Sequence, residues 1–388
     1  MAQVVPTVTS VQLTGAMVGA IFGGMVADKM GRKLAAIGSM LIIGVIGSLS
    51  PLAPSWDVIV SLRFTVGVGT GLFDRAAIPL VLESVTPEVR QLADTSIACM
   101  QGLGLMWLGF TSFMAAHWKW LLLALSVHGL LAAFGLLWVL ESPKWLQTHD
   151  KEQFPLGCYR VMKRNSALTQ EFRQLFYCYK LNAVTGKTNN ATTTEIGYTT
   201  RELFKYNGMI ALSLFIAGTA GFGIILNSRN LTNSVHLDFF LLGLAKIVAS
   251  LVLIFVDHFF SPGRRIVHQI ALNGVWLSLT VPICLYALDL ETHHLPVLVA
   301  FSVIASGFTI PLWVLGTVYS TELYPPAYQS TSIGIGTVAS RGGAVFAPQV
   351  LLLFNWIKPA PYLFIAGLCL CTALLAYFCL PETRVKKS

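Results

Sequence analysis

The sequence predicts an all-α membrane protein with about eleven transmembrane helices, and two observations carry this prediction. Hydrophobic residues make up 55% of the 388-residue chain and charged residues only 11%, with a mean hydropathy of +0.68. A soluble domain needs more charge than this to cover its surface. The apolar residues also fall in runs of roughly 20, the length of a helix that crosses a bilayer. The lipid bilayer is therefore the first predicted partner.

Eleven such runs follow one another along the chain, and most of them contain no Asp, Glu, Lys or Arg. Hydrocarbon offers the backbone no hydrogen bonds, so each run is predicted to be a helix, and the alternation typical of a β-barrel is absent. The predicted spans are 7–27, 34–54, 58–83, 95–117, 120–140, 207–228, 237–256, 266–288, 295–318, 327–353 and 360–380.

One long polar interval divides these spans into five and six. We predict an N-terminal helical bundle at 1–140, a cytoplasmic central segment at 141–206, a C-terminal helical bundle at 207–380 and a cytoplasmic tail at 381–388. The central segment contains amphipathic stretches that are typical of short helices lying at a membrane surface.

The distribution of Lys and Arg predicts the orientation. If the loop after the first span is cytoplasmic, 19 of the 26 lysines and arginines fall on the cytoplasmic side and only three on the outer side. This is a decisive positive-inside bias. It explains the net charge of +8 without a nucleic-acid partner and indicates a multi-pass protein of the plasma membrane. The outward-facing N-x-T sequon makes Asn230 a candidate glycosylation site.

Several kinds of chemistry find no support in the sequence. The seven cysteines have no C-x-x-C spacing and the histidines have no metal-ligand spacing, so neither a metal site nor a cofactor is predicted. Motifs such as H-E-x-x-H and G-x-S-x-G are absent, so the chain is not predicted to be an enzyme.

Two loop signatures occur once in each half of the chain. The first loop reads D-x-x-G-R-K from Asp28 to Lys33, and the string VDHFFSPGRR at 256–265 echoes it. The third span ends near Glu83, and the string TELYPPAYQ at 321–329 occupies the matching place. Signatures repeated in two halves are typical of a transporter built from internal repeats.

Longer strings make this resemblance specific. RFTVGVGTGLFDRAAIPLVLESVTPEVR (63–90), HWKWLLLALSVHG (117–129) with ESPKWL (141–146), and TELYPPAYQSTSIGIGTVASRGGAVFAPQ (321–349) resemble the organic ion transporter family, the SLC22-like group of the major facilitator superfamily. The resemblance implies two six-helix bundles around a site near the midplane that is reached alternately from each side. It also implies that this chain begins at the second of twelve family helices, without the first helix and the large outer loop.

Four charged residues lie near the middles of predicted spans, namely Asp74, Arg75, Lys246 and Arg341. Each costs about 2.5–3.5 kcal/mol at a helix centre, so all four should face the protein interior. An internal salt bridge of Asp74 with Lys246 or Arg341 across the bundle is the structural alternative, but one carboxylate cannot neutralise three cations. The resemblance points the same way, since anion- and zwitterion-transporting members have Arg at the position of Arg341, and cation and carnitine carriers have Glu near that of Lys246. The remaining positive charge favours an anionic group on the substrate.

We therefore predict a transmembrane transporter that moves small organic anions by alternating access, with a counter-ion or a proton as candidate coupling partners. An organic cation or zwitterion transporter, and a truncated membrane protein of this family that does not transport, are the alternatives. The candidate substrate-binding residues are Asp74, Arg75, Phe215, Phe222, Lys246, Trp313, Tyr319 and Arg341.

A second set of charged residues forms the predicted cytoplasmic gate. Their ion pairs are expected to form in the outward-open state and to break on inward opening. The candidate gating residues are Asp28, Arg32, Glu83, Arg90, Glu141, Arg264 and Glu322. Small residues at helical spacing predict close helix packing instead of a site, and these are Gly15, Gly19, Gly23, Gly67, Gly69 and Gly71.

Overall fold

The structure is a computed structural model. It describes residues 4–85, 89–115, 117–142, 145–146, 200–227, 234–260, 262–290, 293–324 and 326–383. The candidate glycosylation site Asn230 and most of the predicted central segment lie outside these residues.

Eleven helices in the described chain are long and apolar enough to cross a membrane, as predicted. The helices are α1 Val4–Met30, α2 Arg32–Leu49, α3 Trp56–Glu83, α4 Arg90–Met114, α5 Trp118–Leu136, α6 Thr200–Asn227, α7 Val235–Phe260, α8 Arg264–Ala287, α9 Leu295–Glu322, α10 Pro326–Leu351 and α11 Ala360–Cys379.

Several helices extend beyond the predicted spans. For example, α6 begins at Thr200 and not near residue 207, and α4 begins at Arg90 and not near residue 95. A helix of 28 residues is about 42 Å long, whereas the hydrocarbon core is about 30 Å thick. The polar ends of these helices therefore lie in the interfacial layer, which a search for apolar runs does not detect.

Helices α1 to α5 form the first half of the molecule, in which α1 packs closely on α3, and α2 packs between α3 and α5. Glycines allow the close contact between α1 and α3. A side chain added at Gly71 would meet the backbone nitrogen of Ala20 at 2.6 Å and the carbonyl carbon of Gly19 at 2.9 Å. The prediction of close packing along these glycines is confirmed.

Helices α6 to α11 form the second half and contain the larger apolar core. Helix α6 packs on α9 and α10, and α8 packs on α9 and α11. The large side chains of Leu272, Leu279, Leu298 and Tyr362 are completely or almost completely buried at these contacts. The charged residues of α9 and α10 therefore project from closely packed helices.

Within the described chain, the two halves pack most closely where α1 meets α10, α4 meets α7, and α4 meets α9. Small residues bring α4 and α7 together, since a side chain at Gly102 would meet the carbonyl oxygen of Gly243 at 2.8 Å. Any movement of one half relative to the other must change these contacts.

Candidate solute-binding cavity

A cavity of about 720 Å³ lies between the two halves. Most of its walls come from α1 and α3 of the first half and from α9 and α10 of the second, and Arg32 of α2, Gln101 of α4 and Leu214 of α6 complete the lining. Asp28 and Glu83 line the end that the charge distribution places at the cytoplasm, and Trp313 and Arg341 line the inner end. Because Arg341 lies 15 residues from the start of α10, the cavity extends about 22 Å along this helix. It therefore runs from the predicted cytoplasmic end toward the middle of the helices.

An ion pair joins the two halves at the inner end of this cavity. The guanidinium of Arg341 on α10 contacts the carboxylate of Asp74 on α3. Their side chains are 18% and 24% exposed, so both remain accessible from the cavity. Of the two partners that the sequence allowed for Asp74, the structure selects Arg341.

A second cation lies beside this pair. Arg75 follows Asp74 on α3, and its Nη1 donates a hydrogen bond of 3.1 Å to the Thr337 hydroxyl on α10. Arg75 is almost fully buried, yet it also lines the cavity. Two guanidinium groups thus lie beside the Asp74 carboxylate at the inner end, and the Asp28 carboxylate also interacts electrostatically with Arg75.

Lys246 of α7 is not among the residues that line this cavity. It projects from α7 between Ala245, whose carbonyl oxygen faces Gly307 of α9, and Ile247, which contacts Gly102 of α4. Within the described chain, no carboxylate forms an ion pair with Lys246. Lys246 is therefore a cation of the second half without a carboxylate partner among the described residues.

Of the four aromatic residues predicted to bind substrate, one lines the cavity. Trp313 lines the cavity, whereas Phe215, Phe222 and Tyr319 do not line it. Tyr319 is buried in the core of the second half, where its ring meets His268 edge-on at 6.2 Å. Phe215 is partly buried, and its ring lies 6.3 Å from that of Phe346. The sequence pattern did not indicate which side of α6 and which side of α9 face the cavity.

Four predicted gating residues of the first half lie in one network at the cytoplasmic end. Arg32 Nη2 lies 2.7 Å from Asp28 Oδ1 and 3.6 Å from Glu83 Oε1. Glu141 accepts a hydrogen bond of 3.0 Å from the backbone N–H of Lys33 and so caps α2. Gly31 has a φ of 97°, and a side chain there would meet the Glu141 carboxylate at 2.6 Å, so the turn requires glycine.

The second half repeats this network. Arg264 lies 3.2 Å from Asp257 and 3.4 Å from Glu322. Glu382 accepts a hydrogen bond of 2.7 Å from the backbone N–H of Arg264, as Glu141 does from Lys33 in the first half. The sequence reasoning did not select Glu382. The signal for it was its place just after the last helix of its half, which matches the place of Glu141.

Each network closes within one half of the molecule. The ion pairs are intact although the cavity reaches the cytoplasmic end, so the structure does not show the predicted breaking of these pairs on inward opening. The side chain of Arg90, the remaining predicted gating residue, lies outside the described residues. The described chain contains no group of three or more His, Cys, Asp or Glu residues that could hold a metal ion.

The comparison with known proteins agrees with this architecture. The family model described as sugar (and other) transporter matches residues 3–387. The chain belongs to this family of membrane transporters. The steroid transmembrane transporter SLC22A24 of Microcebus murinus is 26% identical over 97% of this chain and 67% of its own length. Solute carrier family 22 member 13 of Homo sapiens is 25% identical over 97% of this chain and 66% of its own length.

Solved structures share the fold. The major facilitator superfamily proton:xylose symporter XylE, bound to 6-bromo-6-deoxy-D-glucose, superposes with a TM-score of 0.76 at 16% identity, over 99% of this chain and 87% of that one. A partially occluded inward-open form of XylE from E. coli gives a TM-score of 0.73 at 16% identity, over 99% and 89% of the two chains. The predicted resemblance to the major facilitator superfamily and to its organic ion transporters is confirmed.

Proposed function

We propose that this chain is a carrier that moves small organic anions across the membrane by alternating access. The observation that supports this most strongly is that two guanidinium groups, those of Arg75 and Arg341, line the inner part of the cavity, where Arg341 is held by Asp74 across the two halves. Lys246 adds a cation without a described counter-ion. Charges at this depth of the membrane are costly, and an anionic solute would offset part of that cost.

The dimensions of the cavity suit such a solute. A volume of about 720 Å³ falls within the range of about 300–1,000 Å³ that is usual for sites of small molecules. Trp313 offers an apolar surface for an organic ring, and Thr317 and Thr337 offer hydroxyl groups. An organic anion therefore finds both charge and apolar contact.

The Asp74–Arg341 pair suggests how solute binding is linked to movement. The pair joins α3 of the first half to α10 of the second. An anion that binds Arg341 competes with Asp74 for the guanidinium and weakens this link. A solute that binds the two arrangements of the halves unequally then shifts their populations, which is the requirement for alternating access.

A zwitterion is the second candidate, because the same pair presents both signs of charge to the cavity. Asp74 would hold the ammonium group of the solute and Arg341 its carboxylate. This solute would leave the charge of Lys246 without a partner, so we rank it below an anion.

Uptake into cells that express the chain tests the proposal. We expect uptake of labelled urate or succinate, but not of tetraethylammonium. Lys246→Gln should lower the initial rate of anion uptake at least about tenfold at equal surface expression, since it removes the cation without a described partner.

Lys119→Gln provides the control, because Lys119 is exposed at the outer surface and lies over the Trp118 ring at 5.7 Å. It should transport like the wild type. Uptake of tetraethylammonium alone, or anion uptake that survives Lys246→Gln, would contradict the proposal, as would a chain at the surface that moves no probe.

A further inference from the structure

A groove on the surface of the second half lies apart from the solute cavity and shares no residue with it. It runs along α8, where Phe308 of α9 and Tyr377 of α11 complete its walls, and its volume is about 730 Å³. The side chains of Ile270, Leu277 and Tyr377 in these walls are 57%, 51% and 57% exposed. In a chain that crosses a membrane, an exposed apolar groove of this kind faces lipid.

A cation lies at the end of this groove that the charge distribution places at the cytoplasm. Arg265 is in the first turn of α8, and its guanidinium lies 5.0 Å from the centre of the Tyr377 ring. Its Nη2 also donates a hydrogen bond to the Tyr377 carbonyl oxygen, which leaves other N–H groups of the guanidinium for a ligand. Within the described chain, Arg264 has two carboxylate partners but Arg265 forms no ion pair.

The carboxylate of Glu382 is bound elsewhere. It accepts hydrogen bonds from the backbone N–H groups of Arg264 at 2.7 Å and of Arg265 at 3.2 Å, and so stabilises the start of α8. A ligand at the groove therefore meets the guanidinium and not the helix N-terminus. The sequence after Glu382 contains three more Lys and Arg residues and no acidic one, so cations predominate at this end of the chain.

Two amide side chains follow the guanidinium along the same side of α8. Gln269 and Asn273 line the groove four and eight residues after Arg265, which is about 6 and 12 Å along the helix. Gln269 Nε2 donates a hydrogen bond of 3.0 Å to the Ala373 carbonyl oxygen, and Asn273 Nδ2 donates one of 2.9 Å to the Gln269 carbonyl oxygen. An amide nitrogen has two N–H groups, so each keeps a donor for a further acceptor.

This order of groups matches the order of groups in a phospholipid. A guanidinium binds phosphate oxygens through two parallel hydrogen bonds, and Arg265 lies where the head group would be. The ester carbonyl oxygens of a glycerophospholipid are acceptors for the amide N–H groups one and two turns deeper. The acyl chains would lie on Ile270, Leu277 and Phe308.

Charge favours an anionic lipid over a zwitterionic one. Phosphatidylcholine carries a cation beside its phosphate, which weakens its attraction to Arg265, whereas phosphatidylserine has a net negative charge. The cytoplasmic leaflet contains the anionic lipids, and basic pockets between transmembrane helices on that side suit their head groups. A small soluble anion would gain nothing from the apolar walls.

We infer that the groove along α8 binds an anionic glycerophospholipid of the cytoplasmic leaflet. Arg265 contacts its head group, and Gln269 and Asn273 contact its ester groups. The site lies apart from the solute cavity, so the inference does not depend on which solute is transported.

Photo-crosslinking of the full chain in phosphatidylcholine nanodiscs tests the site. The probes are phosphatidylserine and phosphatidylcholine that carry the same photoactivatable acyl chain. We expect label at residues 266–277 or at Phe308, with phosphatidylserine labelling at least about fivefold more than phosphatidylcholine, the ratio expected for one basic residue at an anionic surface. Arg265→Gln should make the two probes equal. Lys29→Gln is the matched control, because it removes an exposed cation at the same side of α1, and it should keep the wild-type ratio.

A groove-filling variant tests the place of the acyl chains. The Ile270 side chain is mostly exposed, so Ile270→Trp fills the groove without entering the core and should lose labelling by both probes. Thermal unfolding in detergent gives a second measurement, since a lipid that binds the folded chain stabilises it. Phosphatidylserine should raise the melting temperature of the wild type more than phosphatidylcholine does, and this difference should be absent in Arg265→Gln.

Four results would overturn the inference. They are equal labelling by the two probes in the wild type, a preference for phosphatidylserine that survives Arg265→Gln, wild-type labelling of Ile270→Trp, and label that falls outside the groove. A cross-link from the groove to a second copy of the chain would also overturn it, because protein would then cover this surface. If Arg265→Gln does not fold, the labelling of Ile270→Trp decides between the two outcomes.

Discussion

Gly71→Ala is expected to prevent most of the chain from reaching a stable folded state. The added methyl group would meet the backbone of α1 at Ala16, Gly19 and Ala20, with the Ala20 nitrogen at 2.6 Å. Backbone atoms in a helix cannot move aside as a flexible side chain can, so α1 and α3 must separate. Overpacking of this kind costs about 3 kcal/mol. Thermal unfolding of the detergent-purified chain, together with the yield of monodisperse protein, measures the effect.

Gly38→Ala is the matched control for this prediction. Gly38 also lies within a helix, but a side chain there would meet nothing within 4 Å. Alanine has a higher helix propensity than glycine by about 1 kcal/mol, so this variant should unfold at the wild-type temperature or above it. A Gly71→Ala protein as stable as Gly38→Ala would show that the α1–α3 contact is not as close as the structure has it.

Arg341→Gln is expected to abolish anion uptake and to destabilise the protein. The change removes one cation from the inner end of the cavity and leaves Asp74 without its ion-pair partner. The pair is partly exposed, so the loss of stability should be about 2 kcal/mol, between the values typical of exposed and of buried pairs. Initial rates of urate uptake and thermal unfolding measure the two effects separately.

The double variant Asp74→Asn with Arg341→Gln separates structural support from solute binding. It removes both charges together, so stability should return toward that of the wild type. Anion uptake should stay lost, because the cation is still missing. Recovery of uptake in the double variant would mean that Arg341 serves only to neutralise Asp74.

The sequence was sufficient to predict the helices and the first charge network. Eleven apolar runs could be found because the bilayer imposes their length, and Asp28, Arg32 and Glu83 could be grouped because a repeated loop signature marks them. Charge alone left two candidate ion-pair partners for Asp74, namely Lys246 and Arg341. Which of them forms the pair depends on how α3 and α10 are rotated about their axes, and the sequence pattern does not contain that information.

Other parts of the site could not be predicted for the same reason. Tyr319 was placed at the cavity because aromatic residues are common in solute sites, yet its side chain turns into the core of the second half. Glu382 lies in a short segment after the last helix, and its role as a cap depends on the fold of α8 against α11.

Equilibrium binding of labelled urate to the purified chain tests the central claim most directly, since it asks whether the cavity holds an anion. We expect saturable binding that succinate displaces and tetraethylammonium does not, weakened at least about tenfold in Arg341→Gln but unchanged in Lys119→Gln. Binding of tetraethylammonium in place of urate, or urate binding that is equal in these two variants, would contradict a cation-lined site for organic anions.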